Sequence, residues 1–156
     1  MEKLLPEFDK LNAYKVVVIV DPESEEAKTA IKYVSHGIFD AIQFHKIPYE
    51  SVSKELLELP HFFATDSLEE YEKLVSKGEL RVLFDSKNIT QKKGQSALSG
   101  TTYEVKCLAG GITPENAPAL IEQYHPELID ISGGIEDPQT PGIKNHDKLR
   151  KLMEEL

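Results

Sequence analysis

Short apolar runs recur along the 156-residue chain at intervals of 20 to 25 residues, and polar or amphipathic stretches separate them. Several of these runs are almost continuously apolar, which is typical of parallel strands that are covered by helices on both faces. The pattern predicts six strands. They begin near Lys15, Asp40, His61, Arg81, Val105 and Leu128, with the sequences KVVVIV, DAIQFH, HFFAT, RVLFD, VKCLAG and LIDISGG.

The stretches between the apolar runs carry signals for helices. Asp21-Pro22 and Thr113-Pro114 each combine a capping residue with a proline that suits the first turn of a helix. Residues 66–69 resemble a capping box, because an acidic residue stands three positions after a capping residue. Residues 145–156 predict a closing amphipathic helix, and residues 4–11 predict a helix that leads into the first strand.

Strands that alternate with helices predict an α/β fold, which we expect to form a single domain over residues 1–156. The length of each strand–helix unit is typical of a (β/α)8 (TIM) barrel, but such a barrel has eight strands. We therefore expect an incomplete, barrel-like fold of about six parallel strands. Residues 86–104 form a long predicted loop, for which a mobile lid is one option. Its lysines either belong to a solvated loop or contact an anionic substrate. The lysines are Lys87, Lys92 and Lys93.

Composition narrows the classes of function. A net charge of −9 argues against a nucleic-acid surface, because binding to nucleic acid depends on clustered lysine and arginine. No apolar run approaches the length of a membrane span, and the first residues lack a secretory signal. The single cysteine excludes an internal disulfide. We expect a cytoplasmic protein with neither a membrane nor a nucleic acid as partner.

Two predicted strands end in paired glycines, within Leu108–Asn116 (LAGGITPEN) and Ile129–Ile135 (IDISGGI). Backbone N–H groups beside glycine can approach a ligand closely, and the start of a helix adds unpaired donors. Loops at the carboxyl ends of neighbouring strands hold phosphate groups in many barrel enzymes. A tight turn that requires small residues is the alternative interpretation. The predicted phosphate-binding residues are Gly110, Gly111, Ser132, Gly133 and Gly134.

Five motifs follow one another in an order and spacing that suggest a family. They read DAIQFH from Asp40, VLFDS from Val82, LAGGITPEN from Leu108, IDISGGIE from Ile129 and PGIK from Pro141. Together they resemble the phosphoribosylanthranilate isomerase family of tryptophan biosynthesis, whose members are TIM barrels. The resemblance runs from about Lys15 to the end of the chain. It departs from the family at Lys46, where a glycine is usual.

The resemblance implies an intramolecular oxidoreductase reaction, the Amadori rearrangement of N-(5-phosphoribosyl)anthranilate. That reaction needs one acid and one base, and neither a metal nor an organic cofactor, so no metal site is predicted. The resemblance gives the position of the general acid to Asp85, for which a helix cap or a loop anchor is the alternative. His45 is a candidate for lining the substrate pocket or, equally, a structural histidine. The implied ligand is a phosphorylated ribose.

The first predicted strand aligns with the third strand of the family. The two leading strand–helix units of the family, which carry its cysteine base and an anthranilate-binding arginine, have no counterpart in this alignment. Cys107 falls in the equivalent of the seventh strand, and we interpret it as a buried apolar side chain. We therefore expect the isolated chain to isomerise its substrate poorly or not at all. The alternatives are a non-catalytic phosphosugar-binding relative and a fragment that self-associates or is complemented by another chain.

Overall fold

The computed structural model describes residue 8, residues 10–86 and residues 104–156. Most of the predicted opening helix therefore lies outside the described residues, and so do the three lysines of the predicted loop. The chain divides into two compact units, Met1–Ala64 and Thr65–Leu156. The expectation of a single domain stays a prediction.

Three parallel strands form the sheet of the first unit, with the last residue of the third strand assigned to the second unit. They are β1 (Val16–Ile19), β2 (Ala41–His45) and β3 (His61–Thr65). Strand β2 lies between the other two, with Ile42 opposite Val17 and Phe44 opposite Phe63. The Phe44 and Phe63 rings are fully buried, and their centroids lie 5.2 Å apart. This aromatic pair anchors the core of the unit.

Helix α1 (Glu25–Ser35) follows β1 and buries Ala30 and Val34 against the first sheet. Its N-cap is Ser24, whose side chain accepts a hydrogen bond from the backbone of the third helical residue. The predicted start at Asp21-Pro22 was therefore wrong by three residues. The Asp21 carboxylate instead closes a turn before the helix. A 3₁₀ turn and a four-residue helix follow β2. They span Tyr49–Ser51 and Lys54–Leu57, and the latter is α2.

The second unit repeats the parallel arrangement. Its strands are β4 (Val82–Asp85), β5 (Cys107–Ala109) and β6 (Leu128–Asp130). Strand β5 lies between β4 and β6, so that Leu108 pairs with Phe84 on one side and with Ile129 on the other. Leu108 is fully buried, as expected for the central strand of a parallel sheet. A small antiparallel hairpin, β7 (Glu136–Asp137) with β8 (Thr140–Lys144), was not predicted.

The described residues of the second unit form three helices. They are α3 (Leu68–Ser76), α4 (Ala117–Tyr124) and α5 (His146–Glu155). The cap of α3 is Ser67, one residue after the predicted Asp66, and α3 buries Tyr71 against Phe84 with ring centroids 5.8 Å apart. Asn145 caps α5 through two backbone N–H groups, which confirms the predicted start of the closing helix. Helix α4 begins three residues after the predicted Pro114.

All six predicted parallel strands are present, and helices separate most of them, so the predicted α/β fold class is confirmed. Among residues 10–86 and 104–156, none of the helices has the length and apolar character that crossing a bilayer requires.

Candidate functional site

The carboxyl ends of β4, β5 and β6 form one edge of the sheet in the second unit. Asp85, Ala109 and Asp130 occupy the same register position on these strands. Adjacent strands lie about 4.8 Å apart, so the two aspartates stand roughly 10 Å apart across the central strand. Residues in register on parallel strands project from the same face of the sheet. Two carboxyl groups therefore flank the strand that carries the first glycine pair, and Asp130 was not among the predicted site residues.

The first glycine pair begins immediately after β5. Gly110 and Gly111 have φ angles of +98° and +68°, a conformation that residues with a Cβ atom rarely adopt. A Cβ atom at Gly110 would also lie 2.6–2.8 Å from the backbone of Ser86, which follows β4. No larger residue fits at Gly110 without displacing that backbone. The need for a tight turn is therefore enough to explain a glycine at position 110, without a ligand.

The Asn116 side chain orders the segment between the first glycine pair and α4. Its Oδ1 atom accepts a hydrogen bond from the Thr113 N–H at 2.8 Å, and its Nδ2 atom donates to the Gly111 carbonyl oxygen at 3.0 Å. A turn from Thr113 leads into the helix, because the Thr113 carbonyl accepts from the backbone of Asn116 and Ala117. The Thr113-Pro114 signal therefore marks this turn, while α4 itself starts later.

The second glycine pair contacts the first loop directly. Ser132 precedes a 3₁₀ turn, Gly133–Ile135, that follows β6. A Cβ atom at Gly134 would overlap the carbonyl oxygen of Ile112 and would lie 3.1 Å from Thr113 Cα. At Gly133, by contrast, an added Cβ atom would meet nothing within 4 Å. The two glycine loops are thus packed against each other, and Gly133 faces open space.

A lysine from the hairpin joins the second loop. Lys144 Nζ donates to the Ser132 carbonyl oxygen at 3.0 Å, to Ser132 Oγ at 3.1 Å and to Glu136 Oε1 at 2.8 Å. Glu136 Oε2 accepts a further bond from the Gly142 N–H at 2.9 Å. The hydrogen bond with Lys144, followed by that with Gly142, lowers the pKa of the Glu136 carboxyl. The PGIK motif, quoted from the sequence without a role, supplies this lysine.

A second ion pair lies beside the first loop. Lys151 of α5 contacts Glu115 with an Nζ–Oε1 distance of 3.0 Å. Its hydrogen bond, together with one from the Thr113 side chain, lowers the pKa of Glu115 to about 2. The carboxylate next to the first loop therefore stays ionised, and Lys151 balances its charge.

His45 ends β2 in the first unit and is half-buried. Its Nδ1 atom lies 3.4 Å from Nε2 of Gln43. The contact joins two side chains on the same face of β2. The next residue, Lys46, has a φ angle of +57°, at the position where the resemblance to the family leads us to expect a glycine. Its backbone thus keeps a conformation that suits glycine.

Cys107 is buried at the start of β5, and burial raises the pKa of its thiol. These features agree with its interpretation as an apolar core residue. Within the described parts of the chain, no three His, Cys, Asp or Glu side chains are grouped so that they could hold a metal ion.

Parallel strands that alternate with helices, with glycine loops at the carboxyl ends of two adjacent strands, define a protein of the (β/α)-barrel class. The sequence profile of the N-(5'phosphoribosyl)anthranilate (PRA) isomerase family matches residues 7–155. The chain therefore belongs to this family, which confirms the resemblance seen in the motifs.

Individual relatives agree. An N-(5'-phosphoribosyl)anthranilate isomerase of Pseudomonas fluorescens (strain SBW25) is 53% identical over 47 residues, which cover 30% of this chain and 21% of that protein. The isomerase of Streptococcus mutans serotype c is 30% identical over an alignment that covers 100% of this chain and 76% of the relative. Identity near 50% is thus seen over a short segment in the first relative, whereas the lower identity to the second extends over the whole chain.

Solved structures show the same fold. The monomeric form of the dimeric phosphoribosylanthranilate isomerase of Thermotoga maritima superposes with a TM-score of 0.74 and 23% identity, over 99% of this chain and 77% of that one. An isomerase in complex with reduced 1-(o-carboxyphenylamino)-1-deoxyribulose 5-phosphate gives a TM-score of 0.70 and 24% identity over the same shares. The predicted barrel-like architecture is therefore confirmed.

Proposed function

We propose that the chain carries the phosphate site and the general acid of a phosphoribosylanthranilate isomerase of tryptophan biosynthesis. The ligand is a phosphorylated ribose, whose phosphate lies against the backbone of Gly110, Gly111, Ser132, Gly133 and Gly134. The observation that carries this proposal is the packing of Gly134 on the Ile112 carbonyl, which brings both glycine loops together. A solved relative with similar fold is in complex with a deoxyribulose 5-phosphate, which supports the same ligand class.

Bare backbone amides suit a phosphate dianion, because their dipoles stabilise the charge without side chains that would fill the space. The open position at Gly133 provides room for the anion. Close to this loop, Lys144 compensates the charge of Glu136, and Lys151 compensates that of Glu115. The neighbouring carboxylates therefore repel an anion less than unpaired ones would.

Asp85 is proposed as the acid that protonates the ring oxygen of the ribose and opens the furanose ring. It lies at the end of β4, one strand away from the first glycine pair, at the edge where a phosphate-anchored sugar would extend. The family's base and its arginine have no proposed counterpart in residues 1–156. Loss of a general base costs roughly 10²–10⁴-fold in rate. The isolated chain is therefore expected to bind the phosphate and to turn over slowly. We propose further that it acts in the cytoplasm and without a cofactor.

Calorimetry with ribose 5-phosphate tests the phosphate site through a matched pair of variants. Asparagine and aspartate have the same shape, and an added Cβ atom at Gly133 meets no neighbour. Gly133→Asp should bind ribose 5-phosphate at least about tenfold more weakly than Gly133→Asn, which corresponds to ~1.4 kcal/mol, because both side chains take the same room from the anion and only the aspartate repels it. Asp85→Asn should keep the affinity and abolish turnover of phosphoribosylanthranilate. Equal affinities of the two Gly133 variants would exclude an anion at this loop.

A second candidate function is assembly with another chain, either a second copy or a complementing fragment. Within the described residues, β1 pairs with β2 alone, and the side chains of Val18 and Val20 are 54% and 71% exposed. A strand edge with exposed apolar residues favours pairing with another chain.

A further inference from the structure

Lys144 belongs to the PGIK motif, and the proposed function uses it only to balance the charge of Glu136. An ammonium group has three hydrogen-bond donors. All three are accounted for by Ser132 O, Ser132 Oγ and Glu136 Oε1, at 3.0, 3.1 and 2.8 Å. Two of the three bonds therefore end on the residue that opens the second glycine loop.

These bonds orient both the side chain and the main chain of Ser132. A hydroxyl group carries one donor hydrogen and two acceptor lone pairs. Because Oγ accepts from Lys144, its own hydrogen points away from the ammonium, so the hydroxyl can donate to an acceptor on its other side, such as a phosphate oxygen. The bond to the carbonyl oxygen holds Ser132 at φ −114° and ψ −81°, from which the chain enters the 3₁₀ turn Gly133–Ile135. Lys144 thus determines which donors the loop presents.

The charge of Lys144 is compensated locally. Glu136 contacts the ammonium through Oε1 and the Gly142 N–H through Oε2, so the carboxylate is fixed on both oxygens. An ion pair of this kind contributes little net attraction for a third charge. Placement of the loop is therefore the larger contribution that Lys144 can make to anion binding.

We propose that Lys144 is a positioning residue for anion binding, which holds Ser132 and the second glycine loop in the conformation that receives the phosphate of a phosphorylated ribose. The proposal rests on the function proposed above. It predicts that the ion pair with Glu136 supports affinity for the ligand, although neither side chain contacts the phosphate directly.

Calorimetric titration of the whole chain with ribose 5-phosphate tests this role. Lys144→Met should weaken binding about tenfold, equivalent to ~1.4 kcal/mol, and Lys144→Arg should recover part of the loss because arginine also donates to several acceptors. The matched control is Lys106→Met. Lys106 pairs with Glu127 at 2.9 Å, a similar exposed ion pair of the same unit at the opposite, amino end of β5 and β6. The control should bind like the original chain.

Glu136→Gln separates positioning from plain attraction. If Lys144 acted as a free positive charge, removal of the neighbouring negative charge would tighten binding. The positioning role predicts weaker binding, because the ammonium loses a charged partner. Tighter binding by Glu136→Gln, unchanged affinity of Lys144→Met, or no recovery with arginine would each overturn the proposal. If Lys144→Met shows no thermal unfolding transition and is therefore not folded, the affinities of Lys144→Arg and Glu136→Gln test the proposal instead.

The outcome for the original chain distinguishes the two levels of inference. If ribose 5-phosphate does not bind to the original chain, the proposed function fails, and the role of Lys144 fails with it. If the original chain binds and Lys144→Met binds equally well, only the positioning role fails.

Discussion

The surroundings of Gly110 and Gly134 each require glycine, for different reasons, whereas those of Gly133 do not. Gly110 combines a φ angle of +98° with a close approach to the Ser86 backbone. Gly134 is restricted by the Ile112 carbonyl, whereas Gly133 faces open space. Substitutions at Gly110 or Gly134 therefore disturb the fold as well as any ligand. Only Gly133 permits a side chain that reports on the ligand alone, which is why the charge test uses this position.

Lys46 offers a test of backbone strain. Its φ angle of +57° costs a residue with a Cβ atom roughly 1–2 kcal/mol. Substitution by glycine removes this cost, but part of the gain in stability is lost because glycine has a larger conformational entropy in the unfolded chain. Lys46→Gly should therefore raise the free energy of unfolding by about 0.5–1 kcal/mol, measured by chemical denaturation.

The control for this prediction is Lys46→Ala, which also removes the lysine side chain but keeps a Cβ atom. It should show no gain in stability. A glycine variant less stable than the alanine variant would contradict the assignment of a left-handed conformation to this residue.

At the scale of elements, apolar runs predicted all six parallel strands. The signal is continuous for β2, β4 and β5 because these strands are buried along nearly their whole length. Helix starts were less predictable. Ser24 and Ser67 provide the caps, although Asp21 and Asp66 carry equally good capping side chains. Which of the two candidate residues becomes the cap depends on how the helix packs on the sheet, and the sequence around the cap does not show this packing. Every residue of the hairpin strand β8 is exposed, so this strand has no apolar pattern in the sequence.

The candidate site was predictable to a similar extent. Paired glycines marked both loops, because close backbone approach leaves a clear trace in the sequence. Asp130 and Lys144 gave no comparable signal, since their placement depends on strand register and on a hairpin that folds back. Lys46 is the opposite case, because its backbone has a conformation typical of glycine although the residue is a lysine, so the sequence does not indicate it.

The exposed face of β1 leads to a prediction about assembly. If another copy covers this strand, light scattering on the purified chain should give a mass above the 17.5 kDa of one chain. Val18→Lys should shift the mass towards 17.5 kDa, because a charged residue on an edge strand opposes pairing. Leu80→Lys serves as the control, since Leu80 is even more exposed but lies outside the strands. A single-chain mass for the original protein would exclude self-association.

At the scale of the whole molecule, family membership extends over residues 7–155, and the chain spans 76% of its Streptococcus mutans relative. The elements of the second unit carry the proposed phosphate site and the proposed acid. They do not include a proposed base, so the chain can bind a phosphorylated ribose without isomerising phosphoribosylanthranilate at an appreciable rate. The central claim is therefore about binding: two glycine loops form one site for a phosphate dianion.

Amide chemical shifts of the ¹⁵N-labelled chain, recorded during titration with ribose 5-phosphate, test that claim most directly. We predict saturable shifts at Gly111, Gly133 and Gly134 with a common dissociation constant, and no such shifts with ribose at the same concentrations. Titration of residues in only one of the loops, or identical responses to ribose and its phosphate, would contradict a shared phosphate site.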